Sequence, residues 1–519
     1  MVVKTLQLED RDARKGHQTV TIPDTAPMPA TQKMSTRDRT VIGILLIAAF
    51  VVIFNETVMS VALPRLMADL DISASTGQWL TTAFMLTMAV LIPTTGFVLQ
   101  RLTTRTVFIM AMGLFSTGTL LAGLAPGFPV LLLARIVQAS GTSVMIPLLM
   151  TTVLNLVPPQ RRGSFMGTVS IVIAVAPAIG PTISGLILQY LSWRFMFFIV
   201  LPIALTALVI GALRLVNVGE EDNHPIDLVS VALTIPAFGL FVYGLNQFGQ
   251  AGAGKVPVTG IASLLIGIVF LAIFSTRQLR LQRAGNPLLD LRVFSFTAFR
   301  QSLVITLLAM VSLFGMILVL PLYLQQVRGL DTLTTGLVLL PGGVVMAILS
   351  PITGRLYDRY GPRGLMLSGT GLLAVMLSTM IFTTTHSPVW LLAAQYAVMI
   401  GAGMGLLMTP AMTNGLNPLP PHLYSHGSAT LMTLQQVAGA AGTALLIALL
   451  SLRAGMLVRA GATPLQAQLG GFHLAFGAAA VAAVGAFTLS LFVTRAVPAD
   501  PALGAHGEVK PEPVPVREG

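Results

Sequence analysis

Apolar stretches of about twenty residues recur along this chain from about residue 41 to about residue 494, with only short polar breaks between them. About fourteen can be marked, at 41–63, 78–99, 106–124, 130–154, 163–189, 195–216, 228–248, 257–276, 300–324, 334–354, 364–382, 389–412, 427–452 and 471–494. At ~1.5 Å per residue, a helix of ~20 residues covers the ~30 Å hydrocarbon core of a bilayer. Hydrocarbon offers no water to backbone groups, so a spanning segment must pair its own N–H and C=O groups, as a helix does. Only 9% of the residues are charged, against roughly 25% in soluble domains. The expected fold class is therefore an all-α polytopic membrane protein. The hydrophilic stretches at 1–40 and 495–519 are expected to be disordered tails.

A net charge of +11 would suit a nucleic-acid partner if the cations shared a soluble face, but their positions follow the spans instead. With an even number of spans and the N-terminus inside, 23 of the 30 Lys and Arg residues fall on the inner side. Six fall on the outer side (Arg65, Arg194, Lys255, Arg328, Arg453, Arg459), and Arg135 lies within a span. Such asymmetry places both termini in the cytoplasm and removes the case for nucleic acid. The absence of cysteine excludes disulfides, thiolate catalysis and Cys-ligated metal. The seven histidines show no ligand spacing, so neither metal nor cofactor is expected. GQAGAGKV at 249–256 nearly spells a phosphate-binding loop, but Val256 stands where a Ser or Thr would hold Mg²⁺ and no soluble strand precedes it. ATP is not expected.

The chain repeats itself at long range. GFVLQRLTTR from Gly96 and GRLYDRYGPR from Gly354 share Gly96/Gly354, Arg101/Arg359 and Arg105/Arg363 at one offset of 258, and Leu63-Pro64 matches Leu320-Pro321 at 257. A near-constant offset through a whole span–loop unit argues for two related halves. The expected organisation is a six-helix bundle at 41–216, a linker at 217–298 carrying two extra spans, and a second six-helix bundle at 299–494. In parallel-repeat transporters the substrate site lies near the midplane between such halves. Each copy then holds a whole cavity, and a monomer is expected to suffice.

Glu56 stands alone deep inside the first apolar run, and Arg135 deep inside the fourth. Ionisable groups at that depth are costly, so they mark transport paths or proton sites and need partners. Glu56 lies about eight residues, and Arg135 about six, from the outer ends of their expected spans. At ~1.5 Å per residue those depths match within a few ångström, so the two are expected to be near neighbours in the first bundle, with Gln138 or water as a candidate bridge. A static ion pair between two helices is the competing reading. In the second half Tyr323, Gln325, Gln395, Tyr396 and Gln435 are expected either to line a substrate cavity or to bond neighbouring helices.

Four motifs carry a family resemblance. GRLYDRYGPR resembles the inner-loop motif of the major facilitator superfamily, and LLLARIVQASG (131–141) its fourth-span motif, with Arg135, Gln138 and Gly141 in place. VAPAIGPTISG (175–185) resembles a fifth-span motif of antiporters, and WRFMFFIVLPI follows it at 193–203. The chain is similar to the fourteen-span drug:H+ antiporters of the EmrB/QacA type. Asn55-Glu56-Thr57 in the first span resembles the lincomycin-resistance branch, where many other relatives carry the acid at the position of Asn55. The resemblance covers about residues 40 to 495 and implies a bacterial plasma-membrane location.

The resemblance implies a conformational gate at Gly96, Arg101, Arg105, Gly354, Asp358, Arg359 and Arg363. Gln100 stands where the first copy of the motif usually has an acid. Pro177 and Pro181 remove helical hydrogen bonds and should bend their span, while Gly180 and Gly185 should admit a close neighbour. Glu56 and Arg135 are the expected proton-coupling pair, and Asn55, Thr57 and Gln138 are expected to join the substrate cavity. The implied function is proton-coupled efflux of amphipathic or cationic drugs by alternating access, with no enzymatic activity. Export of an endogenous lipid or metabolite on the same fold is the alternative, and a non-transporting membrane receptor a more distant one.

Overall fold

Helix α1 (Thr36–Asp69) begins ahead of its apolar run because Ser35 and Asp38 cap it reciprocally. The Ser35 hydroxyl accepts from the Asp38 N–H at 3.1 Å, and the Asp38 carboxylate accepts from the Ser35 N–H at 3.3 Å. Residues 36–40, expected in the tail, are thus helical. In this computed structural model the described residues are 35–217, 227–250, 257–284 and 287–496. The acidic cluster Glu220, Glu221 and Asp222, Lys255 and both tails beyond those limits lie outside them.

The remaining helices of the first half are α2 (Ala74–Arg101), α3 (Thr104–Gly123), α4 (Phe128–Leu156), α5 (Arg162–Tyr190) and α6 (Arg194–Arg214). The linker carries α7 (Leu228–Thr234), which runs through a wide π turn at Ile235–Gly239 into α8 (Leu240–Gln250), and then α9 (Val258–Arg283). The π turn holds Pro236, whose missing N–H breaks the regular ladder. The second half comprises α10 (Thr297–Gln326), α11 (Thr332–Tyr360), α12 (Arg363–Met380), α13 (Val389–Tyr396), a second π stretch (Ala397–Met404), α14 (Gly405–Leu416), α15 (Tyr424–Arg459) and α16 (Pro464–Ser490). The last helix starts before its apolar run because Pro464 follows a Thr463–Gln466 capping box. Among the described residues thirteen helical segments are long and apolar enough to cross a membrane. Helix α5, 29 residues long, lies with them between α1 and α11.

Helices α1 to α6 pack on one another, as do α10 to α16, and the two sets meet along α5 with α11 and α2 with α15. The linker helices pack together and against α2 and α15 through Ala89, Phe97, Phe238, Val242, Phe274 and Ala429. Helices α3 and α4 approach closely at glycine: a Cβ on Gly141 would lie 2.2 Å from the Ala111 carbonyl oxygen, and one on Gly118 2.6 Å from the Gln138 nitrogen. That approach brings the polar side chain of Gln138 against α3.

Candidate functional site

Arg135 on α4 is 1% exposed and is held from three sides. Its Nη1 donates to the Gln138 Oε1 at 2.6 Å and to the Asn55 Oδ1 at 3.2 Å, and its guanidinium lies 4.0 Å above the centre of the Phe84 ring. Gln138 Nε2 in turn donates to Thr119 Oγ1 at 2.8 Å, and that hydroxyl donates to the Phe115 carbonyl at 2.7 Å. The chain Asn55–Arg135–Gln138–Thr119 therefore ties α1, α4 and α3 together in the interior. A buried guanidinium needs such partners, since a lost one leaves a charged donor unsatisfied.

Glu56 follows Asn55 on α1 and is partly exposed. It sits close enough to Arg135 for their charges to interact, yet among the described residues no hydrogen bond or ion pair reaches its carboxyl. The pair is thus brought together, but the arginine's direct bonds go to Asn55 and Gln138. Both amides are buried, at 2% and 0% exposure, and belong to this network rather than to open cavity wall. The Thr57 hydroxyl donates to the Phe54 carbonyl at 2.9 Å and meets α5 at Gly180, where a Cβ would press on it. Gly185 is exposed with nothing within 4 Å of a built Cβ, so it admits no neighbour. Helix α5 runs without interruption past Pro177 and Pro181, whose side chains fall outside the described residues.

A second constellation closes one end of the molecule. Asp358 on α11 accepts from the Gly163 N–H and the Ser164 N–H, both at 2.9 Å, and from the Ser164 hydroxyl at 2.6 Å. It thereby caps the N-terminus of α5 across the two halves, where amides and helix dipole favour a carboxylate. The backbones touch here: a Cβ on Gly354 would lie 2.3 Å from the Gly163 oxygen. At the related seam Gln100 Nε2 donates to the His422 carbonyl, and Gln100 Oε1 lies 3.0 Å from His426 Nε2. There Gly96 leaves room for the His426 ring, since its Cβ would lie 2.9 Å from Nδ1. Gln100 and Asp358, 258 residues apart, thus reach the same kind of target, the start of a helix in the opposite half. Arg162 adds bonds from Nη1 to Asn417 at 2.9 Å and from Nη2 to Tyr424 at 3.0 Å. Arg105, Arg359 and Arg363 are exposed, and Arg101 is partly so. Of the gate residues inferred from the resemblance, Asp358 and the two glycines carry the described contacts between halves.

The polar residues of the second half separate. Tyr323 is fully buried under Phe472 and Phe476 and donates to the Thr384 carbonyl at 2.8 Å, so it fixes a helix end and lines no cavity. Gln325 is exposed, Gln395 bonds Thr379 on α12 at 3.1 Å, and the ring of Tyr396 packs on Gly342 of α11. Gln435 on α15 has a buried Nε2 without a partner among the described residues. Asn414 binds the chain beyond α16, accepting from the Ala496 N–H at 2.9 Å.

The linker is fastened by ion pairs and amides. Arg277 reaches Asp227 with Nε at 2.9 Å and Nη2 at 2.8 Å. These bonds, with help from Ser230 and against partial burial, hold the Asp227 carboxyl down at about 2. Burial pushes the Asp290 carboxyl up, but the hydrogen bonds and charge of Arg292 outweigh it and hold it below the usual carboxylate range. Sequence reasoning missed Thr119, Phe84, Gly163, Ser164 and His426. The 258-residue repeat was the available signal for the last three, since it pairs Gln100 with Asp358.

The described residues form an all-helical fold of two packed helix sets, with polar groups in its interior and paired seams at one end. The sequence model of the Major Facilitator Superfamily matches residues 45–443, and the chain belongs to that family. It is 41% identical over 456 residues to the uncharacterized MFS-type transporter YcnB of Bacillus subtilis, covering 88% of this chain and 95% of the relative. It is 40% identical over 410 residues to the lincomycin resistance protein LmrB of the same organism, covering 78% and 84%. A multidrug resistance protein B homolog of Mycobacterium tuberculosis is 30% identical over 434 residues, covering 82% and 80%. The crystal structure of the human organic anion transporter MFSD10 superimposes with a TM-score of 0.62 over 88% of this chain and all of that one, at 14% identity, a likeness of fold. The protein is a multi-pass membrane transporter and not an enzyme.

Proposed function

We propose that this transporter exports amphipathic or cationic small molecules in exchange for protons by alternating access between its halves at 41–216 and 299–494, with 217–298 as an inserted helical linker. The observation that carries the reading is Glu56: an ionisable group inside the bundle, partly exposed, near the charge of Arg135 and with no hydrogen bond or ion pair to its carboxyl among the described residues. Such a carboxyl can take up and release a proton without breaking the network behind it. Relatives named for lincomycin and multidrug resistance support the cargo class. The basic loops support cytoplasmic termini, which makes the Asp358 and Gln100 seams the cytoplasmic closure. Each proton driven down ~100 mV releases ~2.3 kcal/mol, enough for roughly a 50-fold gradient of a neutral substrate. The test is efflux of ethidium and of lincomycin from proteoliposomes, comparing wild type with Glu56→Gln at matched reconstitution. Loss of active efflux with retained exchange supports the coupling role, whereas efflux at the wild-type rate removes it.

A further inference from the structure

Arg135 is a buried cation whose described hydrogen bonds all go to neutral amides, although a carboxyl on the adjacent residue of α1 lies within reach of its charge. Successive residues on a helix are turned ~100° apart. Asn55 is therefore directed at α4 and fully enclosed, while Glu56 is turned to the partly open side. We infer that Asn55 is a positioning residue that holds Arg135 off Glu56, leaving the carboxyl unpaired and free to exchange a proton or meet a cationic substrate. The inference rests on the coupling role of Glu56 proposed above.

The surroundings make the arrangement sensitive to this one amide. Helix α4 packs on α1 and carries Arg135 as its one charged residue. Helices α2, α5 and α6, which pack on α1, carry their charged residues only at their ends, at Arg101, Arg162, Arg194 and Arg214. The rest of α1 has its charges near its two ends, at Arg37, Asp38, Arg39, Arg65 and Asp69. Remove the Asn55 oxygen and Nη1 loses one of its two described acceptors, while Arg135 Nε has no partner among the described residues to begin with. The Glu56 carboxylate, already within reach of the arginine's charge, then becomes an available acceptor, and a direct guanidinium–carboxylate bond favours the charged form. Place a carboxylate at residue 55 instead, and Arg135 is neutralised by it, so that Glu56 loses its electrostatic support. The two substitutions act on Glu56 with opposite sign, which a purely structural role for Asn55 would not produce.

The experiment is the pH profile of ethidium efflux from proteoliposomes for wild type, Asn55→Ala, Asn55→Asp and Glu56→Gln. Asn55→Ala is expected to move the midpoint toward acid and Asn55→Asp toward alkali, each by about one pH unit, a tenfold change in proton affinity. Should Asn55→Ala fold poorly, the near-isosteric Asn55→Asp alone still reads the predicted alkaline shift. If Glu56→Gln abolishes coupled efflux but neither Asn55 variant moves the midpoint, or both move it the same way, the positioning role is overturned while the coupling role stands. If Glu56→Gln transports like wild type, the coupling role itself is lost, and this inference with it.

Discussion

Asn55 and Glu56 are adjacent, polar and similar in size, yet one is buried with its oxygen on an arginine and the other is partly exposed. The sequence marked Glu56 and Arg135 because an ionisable residue in an apolar run stands out at any position. It put Asn55 with the substrate cavity and not on Arg135, because which of two neighbours faces α4 depends on how α1 is rotated against it. The arginine network also yields a stability prediction. Gln138→Leu removes the shorter of the two bonds to Arg135 Nη1 and should cost about 1–3 kcal/mol, the usual penalty for stranding a buried polar donor. Thermal unfolding of the purified variant in detergent should show a clear drop in midpoint. An unchanged midpoint would mean that Arg135 finds another acceptor.

At the scale of elements, helix positions were readable from hydropathy, but their exact ends were not. Capping boxes at Ser35 and Thr463 extend α1 and α16 beyond the apolar runs, because polar caps carry no hydropathy signal. The two seams were half visible: the repeat pairs Gln100 with Asp358, but their targets lie 326 and 194 residues away in sequence. Gly354→Val would force a side chain into the Gly163 backbone, so the α5–α11 seam should fail to close. The natural lack of cysteine lets spin labels at Thr106→Cys and Gly364→Cys read the separation of the helix ends on the side of the seams without background. A longer distance in the Gly354→Val protein is expected, and an unchanged one would count against the seam. The linker gives a pH prediction. The Asp227 carboxyl titrates at about 2 in the folded protein against a reference of 3.8, so its contribution to stability is present above about pH 4. It is lost as the pH falls through about 2. Asp227→Asn should therefore melt lower than wild type at pH 7, with the gap closing toward pH 2.

At the scale of the whole molecule, all described hydrogen bonds between 36–214 and 297–496 cluster at one end, among Gln100, Thr151, Arg162, Gly163, Ser164 and Ser170 on one side and Asp358, Thr409, Asn417, His422, Tyr424, His426 and Ser428 on the other. The halves are latched there. In the proposed cycle this is the state closed to the cytoplasm, and opening must release the Asp358 cap and the Gln100 contact together. Proton uptake at Glu56 leaves that latch untouched directly, so coupling must pass through helix packing, with α1 on α5 and α5 on α11 the most extensive described route. The most direct test of the account is proton movement itself. With a pH-sensitive dye sealed inside wild-type proteoliposomes, adding ethidium or lincomycin outside should drive a proton flux of opposite direction to the substrate, and Glu56→Gln should abolish it. Substrate uptake without any proton movement in the wild type would contradict the account.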